Sequence, residues 1–117
     1  MVKRKMSREF KEKHKLYECL VKVPDNLRTH IIKHLDDKGI NDVCECLYNV
    51  IFTDLKLSKK KRATLKKHIR NFPQIKQLTN ANIAVSKRRT ALVQNGSGLG
   101  LILSTVLPLL TSLFSRS

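Results

Sequence analysis

Residues 56–89 hold twelve lysines and arginines and no carboxylate, and a run of that kind has one ready chemistry, the neutralisation of phosphates. Lys59, Lys60, Lys66, Lys67 and Arg70, followed by Lys87, Arg88 and Arg89, are the candidate nucleic-acid contacts. Cationic side chains release condensed counterions from a polyanion, so their affinity falls steeply with salt and depends little on base sequence. Reading bases would take more than charge. The chain has no zinc-finger spacing and no heptad zipper, and its six aromatic residues are too few for a stacking platform.

Other chemistry-bearing groups are less well placed. Cys44-Glu45-Cys46 and the pair His30 and His34, one helical turn apart, carry metal-ligand atoms. Zinc sites, however, favour two to four residues between paired cysteines. Cys44 therefore reads as a core thiol and Cys46 as a partly buried one, and neither metal nor cofactor is expected. The carboxylates are scattered, no glycine-rich phosphate loop is present, and no catalytic constellation emerges. The chain is expected not to be an enzyme. Cys19, Cys44 and Cys46 cannot all pair within one chain, and adjacent-but-one cysteines make a strained bridge. Reduced thiols in the cytosol or nucleus follow.

The charge is distributed unevenly. Residues 56–90 carry +12 of the net +15, whereas residues 16–55 sum to −3. A field of that size on 117 residues favours an extended polyanion as partner, with nucleic acid first and an anionic membrane surface second. Acidic residues cluster where the apolar pattern is densest, which places the folded part between two basic stretches. The N-terminal residues start basic but lead into no apolar run, so the protein is not expected to be secreted. Lys3-Arg4-Lys5 and the run from Lys59 to Arg62 could act as nuclear-import patches.

The elements that must position these groups read as helices. Ser7 can cap a helix over residues 8–22 with Phe10, Tyr17, Leu20 and Val21 on one face and Pro24 beyond its end. A second helix starting at Asp25 buries Leu27, Ile31 and Leu35 and ends where Gly39 allows a left-handed terminus. Asn41 caps a third, whose Val43, Cys44, Leu47, Val50 and Ile51 make the strongest core stripe in the chain. Ser58 caps a fourth over residues 59–72, with Leu65, Ile69 and Phe72 inward and the lysines outward, and Pro73 ends it. Residues 74–82 add a helical turn or two through Ile75 and Leu78, and Ser86 caps a short basic helix. The fold class is all-α: a small bundle of three to four short helices, with a basic N-terminal helix, a glycine hinge and a C-terminal amphipathic apolar helix. Its segments are residues 1–22, a core over 23–80, a basic and glycine-rich linker over 81–98, and an apolar tail over 99–117.

Residues 90–115 carry no charge, and Asn95-Gly96-Ser97-Gly98 forms the expected flexible joint before the tail. Residues 99–114 as a helix reach about 24 Å, short of a hydrocarbon layer of roughly 30 Å. On a helical wheel Leu99, Ile102, Leu103, Val106, Leu107, Leu109, Leu110, Leu113 and Phe114 share one arc of about 160°, with Leu101 the apolar exception opposite. Such a helix suits an interface or a groove, with Leu103, Val106, Leu107, Leu110, Leu113 and Phe114 as partner or membrane contacts. Packing back onto the protein's own core is the plainer alternative.

From Asp42 to Phe114 the chain resembles the small basic proteins of Polinton (Maverick) elements and adintoviruses, relatives of adenovirus core protein precursor X. The resemblance rests on Cys44-Glu45-Cys46 with Asn49, Leu57-Ser58 before a basic helix, Lys87-Arg88-Arg89, Leu92-Val93-Gln94, a glycine pair, and Leu107-Pro108 in an apolar tail. Where those proteins typically continue with Gly-Gly-Phe, this chain has Asn95-Gly96-Ser97-Gly98-Leu99. The resemblance implies a non-enzymatic core or minor capsid protein of a virion or virus-derived transposon. It would bind DNA without sequence preference, dock its tail on capsid or membrane, and reside in the host nucleus or the virion. It also implies maturation by an adenovirus-type cysteine protease, with cleavage between Ser97 and Gly98. Two alternatives come from the residues themselves: a membrane-active protein whose tail inserts at an anionic surface, and a host regulator with a helix-turn-helix in helices two to four.

Overall fold

The computed structural model of the chain describes residues 8–52, 55–72 and 74–109. Among the described residues there are seven α-helices, a closing 3₁₀ turn and no strand. The all-α expectation holds, and the helix count exceeds the three to four expected. Helix α1 (Arg8–Lys22) stops short of Pro24, whose φ of −62° suits the entry to α2 (Asp25–His34). Ser7, the side chain of Phe10, and Pro73 lie outside the described residues or side chains.

Helix α2 is rotated from its expected orientation. Its buried residues are Arg28 and Ile32, whereas Leu27 is 43% exposed and Ile31 and Leu35 are half-buried. The cause is the Arg28 guanidinium, which is needed inside. Its Nε donates to the Leu20 carbonyl at 2.5 Å, and Nη2 reaches the carbonyls of Val23 at 2.8 Å and Val21 at 3.3 Å. Nη1 donates to the Gly96 carbonyl at 3.3 Å and pairs with the Asp25 carboxylate. Carbonyls in the last turn of a helix have no partner within it, so Arg28 satisfies the end of α1 from outside.

Helix α3 (Asp37–Phe52) begins four residues before the expected cap at Asn41, because Asp36 Oδ1 accepts from the Gly39 N–H at 2.8 Å. Gly39 thus sits in the first turn instead of ending α2, and no described residue has a positive φ. Val43, Cys44, Leu47 and Val50 are buried as their spacing predicts. Cys46, off that stripe, is buried too, and the Tyr17 hydroxyl of α1 reaches α3 to donate to the Asp42 carbonyl at 2.5 Å.

Helix α4 (Lys59–Arg70) has the expected cap, Ser58 Oγ accepting from the Lys61 N–H at 3.2 Å. Leu65 and Phe72 are buried and Ile69 half-buried. The short α5 (Ile75–Leu78) buries both of its apolar residues. Helix α6 (Val85–Gln94) starts one residue before the expected cap at Ser86, with no side-chain cap. At Asn95 the chain turns by 86° into α7 (Gly96–Val106), which closes with the 3₁₀ turn Leu107–Leu109. Asn95 ties this corner, its Nδ2 donating to Gln74 Oε1 at 2.6 Å and to the Ala91 carbonyl at 2.9 Å.

The expected glycine hinge is therefore helix. Its glycines serve close approach: a Cβ on Gly100 would lie 2.5 Å from Arg28 Cζ, and one on Gly96 would lie 3.0 Å from Thr29 Oγ1. The described part of the expected docking tail, residues 99–109, packs into the core through α7. Leu99, Ile102, Leu103 and Val106 are wholly buried, and α7 packs on α1, α2 and α4 while α6 packs on α2, α3 and α5. Burial of side chains of this kind contributes about 1.5–3 kcal/mol each, more than an exposed apolar tail could retain in water. One core cluster draws on all four segments expected from the sequence. The radius of gyration, 13.8 Å, compares with about 13 Å for a compact chain of this length.

Two glycine substitutions should separate close packing from flexibility. Gly98→Ala meets only ordinary contact with the Phe72 ring at 3.4 Å, so it should raise stability by about 0.5–1 kcal/mol. Gly100→Ala must displace a guanidinium held by five acceptors, and should lower stability by about 2 kcal/mol in urea unfolding. Equal effects at the two sites would contradict this packing.

Alkaline pH offers a second check. Burial pushes the Tyr17 hydroxyl far above its ordinary value of 10.0, and burial raises the Cys44 thiol above 9.0 despite the opposing pull of Arg88. Below pH 9 both states keep these protons and stability is unaffected. Above that, the unfolded chain ionises while the fold retains them, so stability should fall, for Tyr17 by about 1.4 kcal/mol per pH unit beyond pH 10. Urea midpoints measured from pH 8 to 11 should show the decline, and Tyr17→Phe should flatten it.

Candidate nucleic-acid interface

The eight cations expected to meet phosphate divide into two groups. On α4, nine of twelve residues are exposed, Lys59, Lys60, Lys66, Lys67 and Arg70 among them. The side of the helix that carries Leu65 packs on α7, and that anchorage leaves the opposite arc open to solvent. None of the five has an ion-pair partner among the described residues. Lys61, also exposed, adds to the charge at the start of the helix. Lys87 on α6 is exposed as well, on a separate groove lined by Gln74, Gln77, Ser86, Thr90 and Gln94.

Arg88 and Arg89 leave the expected set. Arg88 is 6% exposed, its Nε donating to the Ile83 carbonyl at 3.0 Å and Nη2 to Asn41 Oδ1 at 2.7 Å. Arg89 Nη1 donates to the carbonyls of Ile32 at 3.0 Å and Leu35 at 2.5 Å, and Nη2 pairs with Asp37 at 3.1 Å. Arg89 closes the end of α2 as Arg28 closes the end of α1. Arg88 is held by a carbonyl and an amide and Arg89 by carbonyls and the Asp37 carboxylate, so both tie helices together instead of standing open to a ligand. Arg62 follows the same pattern in part, reaching the carbonyls of Leu55 at 3.2 Å and Leu57 at 3.5 Å.

The sequence reading missed Arg28 entirely. Its position in the stripe Arg28, Ile32, Leu35 was the available sign, since a helix with an arginine on its inward face must bring it to acceptors. The reading also missed a pair of exposed aromatics, Tyr48 at 48% and Phe52 at 62%, with ring centroids 4.6 Å apart. They share a helix face with Glu45, whose charge is unfavourable to a polyanion stacked on those rings.

The remaining expected sites are placed as follows. Leu103 and Val106 are core residues and Leu107 is half-buried; Leu110, Leu113 and Phe114 lie outside the described residues. Ser97 is exposed and Gly98 half-buried within α7, so cleavage between them would require that helix to unwind into a protease cleft. His30 and His34 stack at 4.5 Å on α2, apart from the buried Cys44 and Cys46, and no three His, Cys, Asp or Glu gather as a ligand set among the described residues. No described helix alone is long and apolar enough to cross a membrane. No protein-family model, curated protein or solved structure matches the chain.

Substitution should split the cations in the same way. Arg88→Ala and Arg89→Ala are each expected to cost about 2 kcal/mol in urea unfolding while leaving the salt dependence of DNA binding unchanged. Lys60→Ala and Lys66→Ala are expected to do the reverse, each reducing the slope of log K against log salt by about 0.9 with no loss of thermal stability.

Proposed function

We propose that the protein is a non-enzymatic DNA-binding protein that holds the phosphate backbone through α4 without sequence preference. The observation carrying this reading is the open arc of α4: five long cations without acidic partners among the described residues, on a helix anchored from behind, in a stretch of chain lacking any carboxylate. Lysines supply charge without the planar fork that reads guanine, so a face with four lysines and one arginine favours affinity over discrimination.

The ordered likeness to Polinton and adintovirus basic proteins adds a setting, that of a core or minor capsid component condensing packaged DNA in a nucleus or a virion. Contact with a capsid shell or membrane is part of that proposal, and it would fall to Leu110, Leu113 and Phe114, since Leu103 and Val106 are used inside the fold. Processing at Ser97 belongs to the same setting and would act on an unwound α7.

Five phosphate contacts give an expected slope of about −4.5 on duplex DNA, or roughly a five-hundredfold loss of affinity between 50 and 200 mM salt. Fluorescence anisotropy with two duplexes of unrelated sequence measures this. The two should agree within a factor of about three, because backbone contacts carry no sequence information. A flat salt dependence would remove the reading.

A further inference from the structure

The cations of α4 are not spread evenly around its open arc. At 100° per residue Lys59, Lys66 and Arg70 form one row and Lys60 and Lys67 a second, the two centred about 90° apart. Between the rows lies Ala63, exposed and carrying only a methyl group. The helix thus presents two cationic flanks with one small, uncharged residue between them.

From this we infer that α4 lies lengthwise in the major groove of duplex DNA, one row on the phosphates of each strand and Ala63 toward the groove floor. The inference rests on the proposed DNA binding and specifies its mode. Dimensions decide between the grooves. A helix with side chains is about 10–12 Å across, which fits a major groove about 12 Å wide and not a minor groove about 6 Å wide. At the edge of that cylinder the rows stand about 8 Å apart, and lysine side chains can splay further toward the two backbones. The first row, from Lys59 to Arg70, runs about 16 Å along the axis, a length over which one strand presents about five phosphates. Three cations therefore have more phosphates in reach than they need, which allows binding in many registers.

Protrusion supports the same geometry. Leu65 is the one buried residue of α4, and Lys59 to Thr64 is an unbroken exposed run, so the helix stands out far enough to enter a groove. A flat surface of lysines would serve single strands, membranes or either groove equally. A ridge with two charged flanks and a small residue between them serves a wide groove bordered by two anionic strands.

The test compares the full chain on nucleic acids of equal length and charge, by anisotropy at fixed salt. Duplex DNA should bind at least tenfold more tightly than duplex RNA, whose major groove is too deep and narrow for a helix to enter. Netropsin, which fills the minor groove, should leave binding unchanged, and bulky C5 substituents on the pyrimidines should weaken it at least fivefold. Ala63→Leu, on an exposed position that favours helix, should weaken duplex DNA binding about fivefold and leave single-stranded DNA binding unchanged. Equal affinity for the two duplexes, displacement by netropsin, or an Ala63→Leu variant indistinguishable from the parent on duplex DNA would each overturn the groove assignment. Salt-dependent binding would survive those outcomes, so they leave the proposed function standing while removing its mode; absence of salt-dependent binding removes both.

Discussion

The fold depends on one buried guanidinium. Arg28 meets the closing carbonyls of α1, which have no partner within that helix, and also the carboxylate of Asp25 and the Gly96 carbonyl at the α6–α7 corner. A buried cation is costly unless its hydrogen bonds are filled, so its acceptors cannot be far from where they are. That requirement turns α2 until Ile32 and not Leu27 faces the core. It also brings α7 so close that residue 100 has to be glycine, and the packing of α7 on α1, α2 and α4 follows.

A similar use of arginine recurs at Arg88 and Arg89, and in part at the exposed Arg62, so a share of the chain's basic charge serves the fold itself. A guanidinium offers five donors in a rigid plane and is more weakly hydrated than an ammonium. It can therefore close a helix end and stay charged inside the protein. An ammonium on a flexible stem keeps its hydration best in solvent, and the lysines of α4 are all exposed. Net charge read from composition counts all of them alike, although Arg28 and Arg88 are buried while the lysines of α4 and Arg70 stand in solvent.

Helix positions were largely legible because they rest on local spacing. The stripe from Val43 to Val50, the Ser58 cap and the stop before Pro24 all follow from neighbours within a turn or two. What could not be read depends on partners far along the chain. Arg89 faces acceptors more than fifty residues away, and no local pattern separates it from Lys87 two positions earlier. Glycines have the same ambiguity, since Gly96 and Gly98 are compatible with a hinge or with close packing until Arg28, Thr29 and Phe72 are in place. An apolar arc is likewise identical whether its partner is a membrane, a shell or the protein's own helices. For the candidate site, periodicity places five cations of α4 on the side that the structure leaves exposed, while the two arginines grouped with them by charge make hydrogen bonds within the fold.

The start of α4 connects stability to binding. Lys59, Lys60 and Lys61 stand in its first turn with no acidic residue there, although the N-terminal end of a helix dipole is positive and disfavours cations. Capping by Ser58 and the anchorage of Leu65 against the core hold the turn in place against that repulsion. The first turn of α4 thus holds three cations and no carboxylate of its own. Under the proposed function, a polyanion laid along α4 would relieve that repulsion, and a ligand that binds the folded state alone stabilises it in proportion to the logarithm of its concentration over Kd. Because α4 packs on α7 and α7 on Arg28, the cationic helix and the buried guanidinium belong to one packed unit.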